Sequence, residues 1–566
     1  MTSRAAVLVF RVTLLLWLLT GAGAQSGSKA GAADTTSRAG PESSYVIRSN
    51  SRLVQVSVVV QDRLGAPILG LKKEDFTLLD DGKAQDIAFF SANAPAPVHE
   101  VAPLARNVFT NRSQLKGQDP GATIVLLFDL VNTSFEDQAF ARWHILRFLR
   151  SVKPQDRIAI FALTTELTVV HDFSQDPASL ASSLDQFSPR SLAPYDASHP
   201  APFHVQALAN DPFWAAFEGH VNNANGEIAD AFVSNRFQTT YAAIEAIANY
   251  VTNIPGHKSL VWVSDGIPIQ LGSDHIGVSD RESFTFDNPN ASGPAGGKDL
   301  SALARILNRA NLAIYPIDAH GIDVDDSAGA FFQRQNQRDS FRLLAEKTGG
   351  KAFYGTNDIA GAIRSAFEDD RYTYTIGFYP NHGEWDGRFR EIKIELPARG
   401  SRLRYRRGYF AVREGSELEA VVKNEAAMKL DLQGAAQSPV DATSLGVILK
   451  GTVLKPMSAH ALQLQITLDP KQFLLHDREN RQEGGLDLLF LQKNSAGKFL
   501  AAEKQHFDVR FGPQEYAAVA KSGLVLQRKL AIDPGASEIR VVVRDTESGT
   551  LGSVTVPTKQ FSWSGS

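Results

Sequence analysis

Thr123-Ile-Val-Leu-Leu-Phe-Asp129-Leu-Val-Asn-Thr133-Ser134 decides the fold. A run of β-branched and large apolar residues ends in an aspartate, a short polar loop follows, and Phe135-Glu136-Asp137 opens a helix. An unbroken apolar run this short suits a strand buried on both faces, as in the middle of a parallel sheet. The Asp129 carboxylate then emerges at the carboxyl end of the strand, the rim where open α/β sheets place their ligands.

Working outward, strand and helix alternate. Gln138 to Val152 carries Phe140, Trp143, Ile145, Leu146 and Leu149 at helical spacing, and Pro154 stops it. Strands are expected at Arg157–Leu163, Leu167–Val170, Ser259–Ser264, Leu312–Ile317 and Ala352–Tyr354, with the second an antiparallel edge. Helices are expected after Asp176-Pro177, at Thr240–Val251, Leu300–Ala310, Phe341–Thr348 and Ile359–Phe367. This alternation predicts an α/β fold, a mostly parallel sheet covered on both faces. Residues 188–235 read as a long Pro- and His-containing loop, and 270–298 as a Gly-, Ser- and Asn-rich one.

The ends are different. Arg4 and Arg11, the apolar run Val12–Leu19 and the small residues Ala22-Gly-Ala24 form a tripartite signal peptide over residues 1–24. Residues 25–44 read as a disordered linker. A small N-terminal β domain is expected at 45–92, with Asp80-Asp-Gly82 as a hairpin turn. A Pro- and Ala-rich linker covers 93–122. Three alternating strands follow the last helix and close the central unit, 123–410, with Arg402, Arg404, Arg406 and Arg407 on a solvated face. A helical connector spans 411–437, and a C-terminal β-sandwich occupies 438–566.

Composition bounds the function. The 566 residues carry a net charge of -4, so no whole-protein field draws the chain to nucleic acid or anionic lipid. No stretch after the leader is long and apolar enough to span a bilayer. Cysteine is absent, which removes thiol chemistry and thiolate metal sites. An exported chain without cysteine points to a bacterial periplasm, cell surface or exterior.

Val125-Leu-Leu-Phe-Asp129, the alternating sheet and Val261-Trp-Val-Ser-Asp-Gly266 together resemble a von Willebrand factor type A domain. The wider set is similar to the VWFA-related proteins of the acidobacterial type. It comprises Val58-Val-Val-Gln-Asp62, Leu71-Lys-Lys-Glu-Asp-Phe-Thr77, Asp81-Gly-Lys83, Asp129-Leu-Val-Asn-Thr133, Ile254-Pro-Gly-His-Lys258, Ile314-Tyr-Pro-Ile-Asp318, Gly377-Phe-Tyr-Pro380 and Trp385-Asp-Gly387. The resemblance covers about residues 45–410 and implies a Rossmann-like domain with an adhesion-type or scaffolding role.

Such domains often hold a divalent cation such as Mg²⁺ on Asp-x-Ser-x-Ser, a later Thr and a later Asp, with an open position for an acidic group of a partner protein. In this chain the resemblance assigns the metal ligands to Asp129, Thr133, Thr239 and Asp265. Val131 stands where the first hydroxyl belongs. Strict spacing puts the later Thr at Gln238, and Thr239 matches after a one-residue shift. The implied site is therefore degenerate, and any Mg²⁺ is expected to bind weakly.

No His-Glu-x-x-His, nucleophile elbow or phosphate-binding Gly-Lys loop occurs. His171-Asp172 reads as a surface pair, and His199, His204 and His220 as solvated loop histidines. The expectation is an exported, non-enzymatic protein-interaction protein. The alternatives are an envelope hydrolase using 188–235 as a lid, or a metal-free structural envelope scaffold.

Overall fold

In the computed structural model, residues 53–92, 104–112, 123–152, 156–188, 212–254, 257–266, 300–322, 328–381, 386–396, 400–412, 425–454 and 461–561 are described. The expected leader, the 25–44 linker, the loop 270–298 and the side chains of His199, His204 and His220 lie outside the described residues.

Among the described residues the central sheet has five strands: β1 (Thr123–Asp129), β2 (Arg157–Leu163), β3 (Leu167–Ser174), β4 (Lys258–Ser264) and β5 (Leu312–Asp318), in the order β5-β4-β1-β2-β3. All pairs are parallel except β2 with β3, which makes β3 an antiparallel edge. Every residue of β1, β2, β4 and β5 is buried.

Six helices cover the sheet: α1 (Phe135–Leu149), α2 (Pro177–Gln186), α3 (Pro212–Val251), α4 (Leu300–Arg309), α5 (Ala328–Thr348) and α6 (Ile359–Arg371). The two-residue period of a strand sorts β1 between two cores. Val125 and Leu127 pack with Ile244 and Ile247 of α3, Leu307 of α4 and Phe341 of α5. Ile124, Leu126 and Phe128 pack with Ile145 of α1, Leu184 of α2 and Ile363 of α6. A central mixed α/β layer with a mostly parallel sheet is therefore present.

Five expectations need correction. Residues 212–235 are not loop: α3 runs 40 residues from Pro212 to Val251. Gly219, Gly226 and five asparagines across this stretch (Asn222, Asn223, Asn225, Asn235, Asn249) weaken the helical signal. Yet no proline interrupts the chain between Pro212 and Pro255. The strand expected at 352–354 shrinks to one parallel bridge, Phe353 to Ile317.

The N-terminal β segment does not close on itself. Strand 54–61 pairs with 373–378 on one side and 402–404 on the other, and 77–80 pairs with 386–395. Val56, Val58, Leu78, Ile376, Phe378, Ile392 and Ile394 share one core. The α/β layer is thus inserted between two halves of a β unit. The basic strand is not simply solvated either. Arg404 pairs with the buried Asp369 of α6 and lies 5.6 Å from the Tyr315 ring centre, and Arg406 donates to the Gln55 carbonyl at 2.6 Å.

The interval 93–122 is more than a linker. Val108–Thr110 is an edge strand of the C-terminal β unit, paired with Ile448–Lys450. Buried Asn111 then donates to the carbonyls of Ala442 (2.7 Å) and Leu445 (2.9 Å) and accepts from the Val447 amide (2.8 Å). A three-residue strand is too short to carry a periodic signal. Among the described residues, the rest of that unit includes strands 447–454, 461–468 and 524–531 in one sheet and 476–478, 481–493, 499–511, 538–545 and 551–557 in another. Helix 425–437 packs on it, with Asp431 accepting from the fully buried Arg544 at 3.1 Å.

Asn111→Ala should lower the stability of the C-terminal unit by about 2–4 kcal/mol, because three backbone groups lose a buried partner. Urea melts of the full chain read this directly. A midpoint equal to wild type would mean that 104–112 is not an integral part of that unit.

Candidate functional site

Three neighbouring strands end in step. Phe128 is level with Val263, and Ser264 is level with Asp318. Asp129, Ser264-Asp265 and Asp318 therefore stand on one line at the carboxyl rim. After β1 the chain turns to β2 on one side and later returns to β4 on the other, so the strand order reverses between β1 and β4. Such a reversal opens a crevice above the sheet.

Asp129 does not face that crevice as an open ligand. It is fully buried, and its carboxylate accepts four hydrogen bonds: from the Asn132 amide (3.1 Å), Asn132 Nδ2 (2.8 Å), Trp262 Nε1 (2.9 Å) and Ser264 Oγ (3.0 Å). Burial raises its pKa, and the bonds from Asn132, Trp262 and Ser264 work against that rise. Asn132 passes the connection to α3: its Nδ2 donates to Thr240 Oγ1 at 2.7 Å, and its Oδ1 accepts from Arg236 Nε at 3.1 Å. Thr133 Oγ1 donates to the Asp129 carbonyl.

The residues assigned by resemblance separate here. Thr239 Oγ1 turns to Asn235 on its own helix, while its neighbour Thr240 enters the network. Val131 is 2% exposed and belongs to the apolar core. A cation needs lone pairs aimed at it, whereas the amide, indole and hydroxyl hydrogens around Asp129 all point at the carboxylate. This donor set does not fit a metal at Asp129. Among the described residues no group of three His, Cys, Asp or Glu side chains is arranged to hold one.

Asp265 takes a different part. Its Oδ2 accepts from the Ser134 amide at 2.8 Å, at the start of α1. Its Oδ1 is buried and receives no hydrogen bond. Ser134 caps α1: its Oγ accepts from the Asp137 amide at 3.2 Å and donates to Asp137 Oδ2 at 2.6 Å. His320 Nδ1 also meets Asp137 Oδ2 at 2.9 Å. Asp318 Oδ1 accepts from the His320 amide at 3.1 Å, and Arg338 Nε lies 3.8 Å from its Oδ2.

These groups line a cleft of about 260 Å³, formed by Ser134, Glu136, Asp137, Asp265, Asp318 and His320 together with Arg334, Gln337, Arg338 and Phe341 of α5. Gly266 lets α5 come this close: a Cβ there would lie 2.8 Å from the Gln337 side chain. Burial first, and then the Asp137 carboxylate, raise the Asp265 pKa well above its ordinary value. Burial is also the largest cause pushing Asp318 up to about 6.

Sequence reasoning placed Asp129 and Asp265 at the rim but did not single out Asp137, Asp318 or His320. Asp318 was within reach, because it ends an apolar strand as Asp129 does. His171 and Asp172 form no catalytic dyad: His171 Nε2 meets Ser179 Oγ at 2.8 Å, and Asp172 accepts from Tyr250.

Asp129→Ala should cost about 2–4 kcal/mol, since four buried donors lose their acceptor. Val131→Ser should cost about 1–2 kcal/mol, because a hydroxyl enters an apolar core. Denaturant melts measure both. Unchanged midpoints, together with Mg²⁺-dependent heat on titration, would restore the metal reading at Asp129.

Asp318 gives a pH test. Its folded pKa, about 6, lies above the ordinary 3.8, so the folded state binds more protons between these values and stability falls as pH rises through them. Asp318→Asn removes this penalty. The variant should melt higher than wild type at pH 7.5, the gain shrinking as pH falls below about 6 and vanishing below 3.8. A gain that does not change with pH would contradict the assignment.

No protein-family model matches the chain, and no curated protein matches it in sequence. Some solved structures align with part of the chain. One is an aerotolerance-related membrane protein from Bacteroides fragilis, 10% identical, over 44% of this chain and 98% of that one, with a TM-score of 0.23. Another is the vWF domain of a type V pilus tip protein from Porphyromonas gingivalis, 12% identical, over 44% and 94%, with a TM-score of 0.24. A third is the PilB minor pilin from Streptococcus sanguinis, 12% identical, over 45% and 62%, with a TM-score of 0.20. Similarity at this level says nothing about ligand or partner.

Proposed function

We propose that this chain is an exported, non-enzymatic protein-interaction protein of the adhesion type, acting in a bacterial periplasm or at the cell surface. Its central layer is a Rossmann-like, type A-like domain that meets a protein partner at the carboxyl rim of the sheet. One observation carries the reading: a cleft lined by four acidic side chains sits at the point where the strand order reverses. The motif set from Asp129 to Asp318 and the signal-like leader support it. No helix among the described residues is long and apolar enough to cross a membrane.

Cation binding at the rim is expected to be weak. Asp129 is committed to four donors and Thr239 faces its own helix, which leaves Asp265 and Thr133 of the implied ligands. The hydrolase alternative needed 188–235 as a lid, and 212–235 belongs to α3.

Cross-linking of the mature chain to native envelope extract, followed by identification of the linked peptides, tests the proposal. Links should concentrate on residues 134–137 and 318–322 and fade in a Glu136→Gln, Asp137→Asn double variant. They should persist in chelator. Links confined to the C-terminal β unit, or turnover of an envelope substrate, would overturn it.

A further inference from the structure

The charge and rim of the cleft specify the chemistry of an occupant. Four carboxylates line it, Glu136, Asp137, Asp265 and Asp318, against two guanidiniums, Arg334 and Arg338. His320 is turned to Asp137, and Arg338 stands by Asp318. The deficit lies at Asp265. This side chain is 8% exposed, its Oδ1 receives no hydrogen bond, and burial first, then the Asp137 carboxylate and that of Asp318, disfavour its charged form. A buried carboxylate oxygen without a donor is unfavourable, and like charges beside it add to the deficit. A positively charged donor at Oδ1 would relieve both the bare oxygen and the like charges.

Exposed apolar side chains stand beside lining residues of the cleft in sequence or contact. Phe135 is 66% exposed and lies between the lining residues Ser134 and Glu136. Ile322 is 56% exposed, two residues beyond His320, and Tyr354 is 45% exposed with the Arg338 guanidinium 5.9 Å from its ring centre. Aromatic and aliphatic groups around a charged pocket are the usual make-up of an interface anchor point. A long basic side chain suits both parts: its stem covers apolar surface while its head reaches the carboxylates. A lysine head is compact and has three donors, which suits a cleft of about 260 Å³ lined by four carboxylates.

Building on the adhesion-type reading, we propose that the rim cleft binds a lysine side chain presented by a protein partner beside an apolar residue, with no metal between them. This is the opposite polarity to the one the resemblance implies, in which a metal draws an acidic group. The Asp129 network supports the inversion, because it closes the position through which a cation would reverse the sign of the rim.

The test uses the mature chain and two capped pentapeptides, Ala-Leu-Lys-Leu-Ala and Ala-Leu-Glu-Leu-Ala, each titrated calorimetrically with Mg²⁺ or with chelator. The lysine peptide should bind equally in both conditions, weaken as salt is raised, and lose at least about tenfold in affinity in Asp265→Asn and in Asp137→Asn. Asp137 is less buried than Asp265, so its variant keeps the test open if Asp265→Asn does not fold. The glutamate peptide should not bind. Mg²⁺-dependent binding of the glutamate peptide would overturn the inference and leave the adhesion-type reading standing. Lysine-peptide affinity unchanged in both variants would place its site elsewhere and overturn the inference as well. Binding of neither peptide at millimolar concentration, with rim cross-links to envelope protein retained, would do the same. Loss of those cross-links as well would remove the adhesion-type reading too.

Discussion

The buried Asp129 carboxylate holds the top of the sheet together. It ends β1, accepts from Trp262 and Ser264 of β4, and through Asn132 reaches Thr240 and Arg236 of α3. A carboxylate at this depth is tolerated only because donors surround it, and each donor removed adds to the cost of its burial. The same network fixes the loop 130–134. That loop delivers the Ser134 amide to Asp265 and starts α1 at the angle that brings Asp137 to the rim. The cleft is therefore a consequence of how Asp129 is satisfied, although Asp129 does not line it.

Attachment of the flanking β units follows the direction of the central layer. Helices in an α/β layer run back against the strands, so their carboxyl ends lie at the amino edge of the sheet. The first β unit joins there. Gln61 and Arg404 meet Asp369 near the end of α6, and Ser57 meets His257 just before β4. The C-terminal unit joins at the same edge, where the Thr443 amide and hydroxyl bond the Asn249 carbonyl near the end of α3, and Arg309 at the end of α4 bonds Thr550. Both mounts leave the carboxyl rim clear. Burial pushes His257 down to about 3, so it stays neutral in the fold, and the Ser57 contact is a neutral hydrogen bond.

How far this was legible in the sequence depends on range. The strands of the central sheet announce themselves because residues such as Ile124, Leu126 and Val261 need apolar surroundings on both faces, and that needs no knowledge of partners. Strand 54–61 is equally clear as a strand, but its partners lie more than 300 residues away, at 373–378 and 402–404, and nothing local names them. The rim shows the same division. Two acids at strand ends were readable, but the donors that close over Asp129 come from three residues, Asn132 in the following loop and Trp262 and Ser264 on β4. Thr239 and Thr240 differ by one helical step of about 100°, which decides which hydroxyl meets Asn132. Spacing alone cannot resolve that step. Val131 was read as a missing ligand, whereas in the fold it is a core residue that the sheet requires.

The two aspartates of the rim have exchanged the roles that their sequence positions imply. Asp129 is saturated with donors from its own chain, so its charge is spent on holding the fold. Asp265 keeps one donor from the chain and one oxygen without a donor, which leaves room there for a donor from an outside group. Without a place for a cation at Asp129, the sign of the rim is set by Glu136, Asp137, Asp265 and Asp318, and the arginines of α5 offset it only in part. A partner of the kind proposed would have to place a donor on Asp265, a short-range demand that a merely basic surface does not meet.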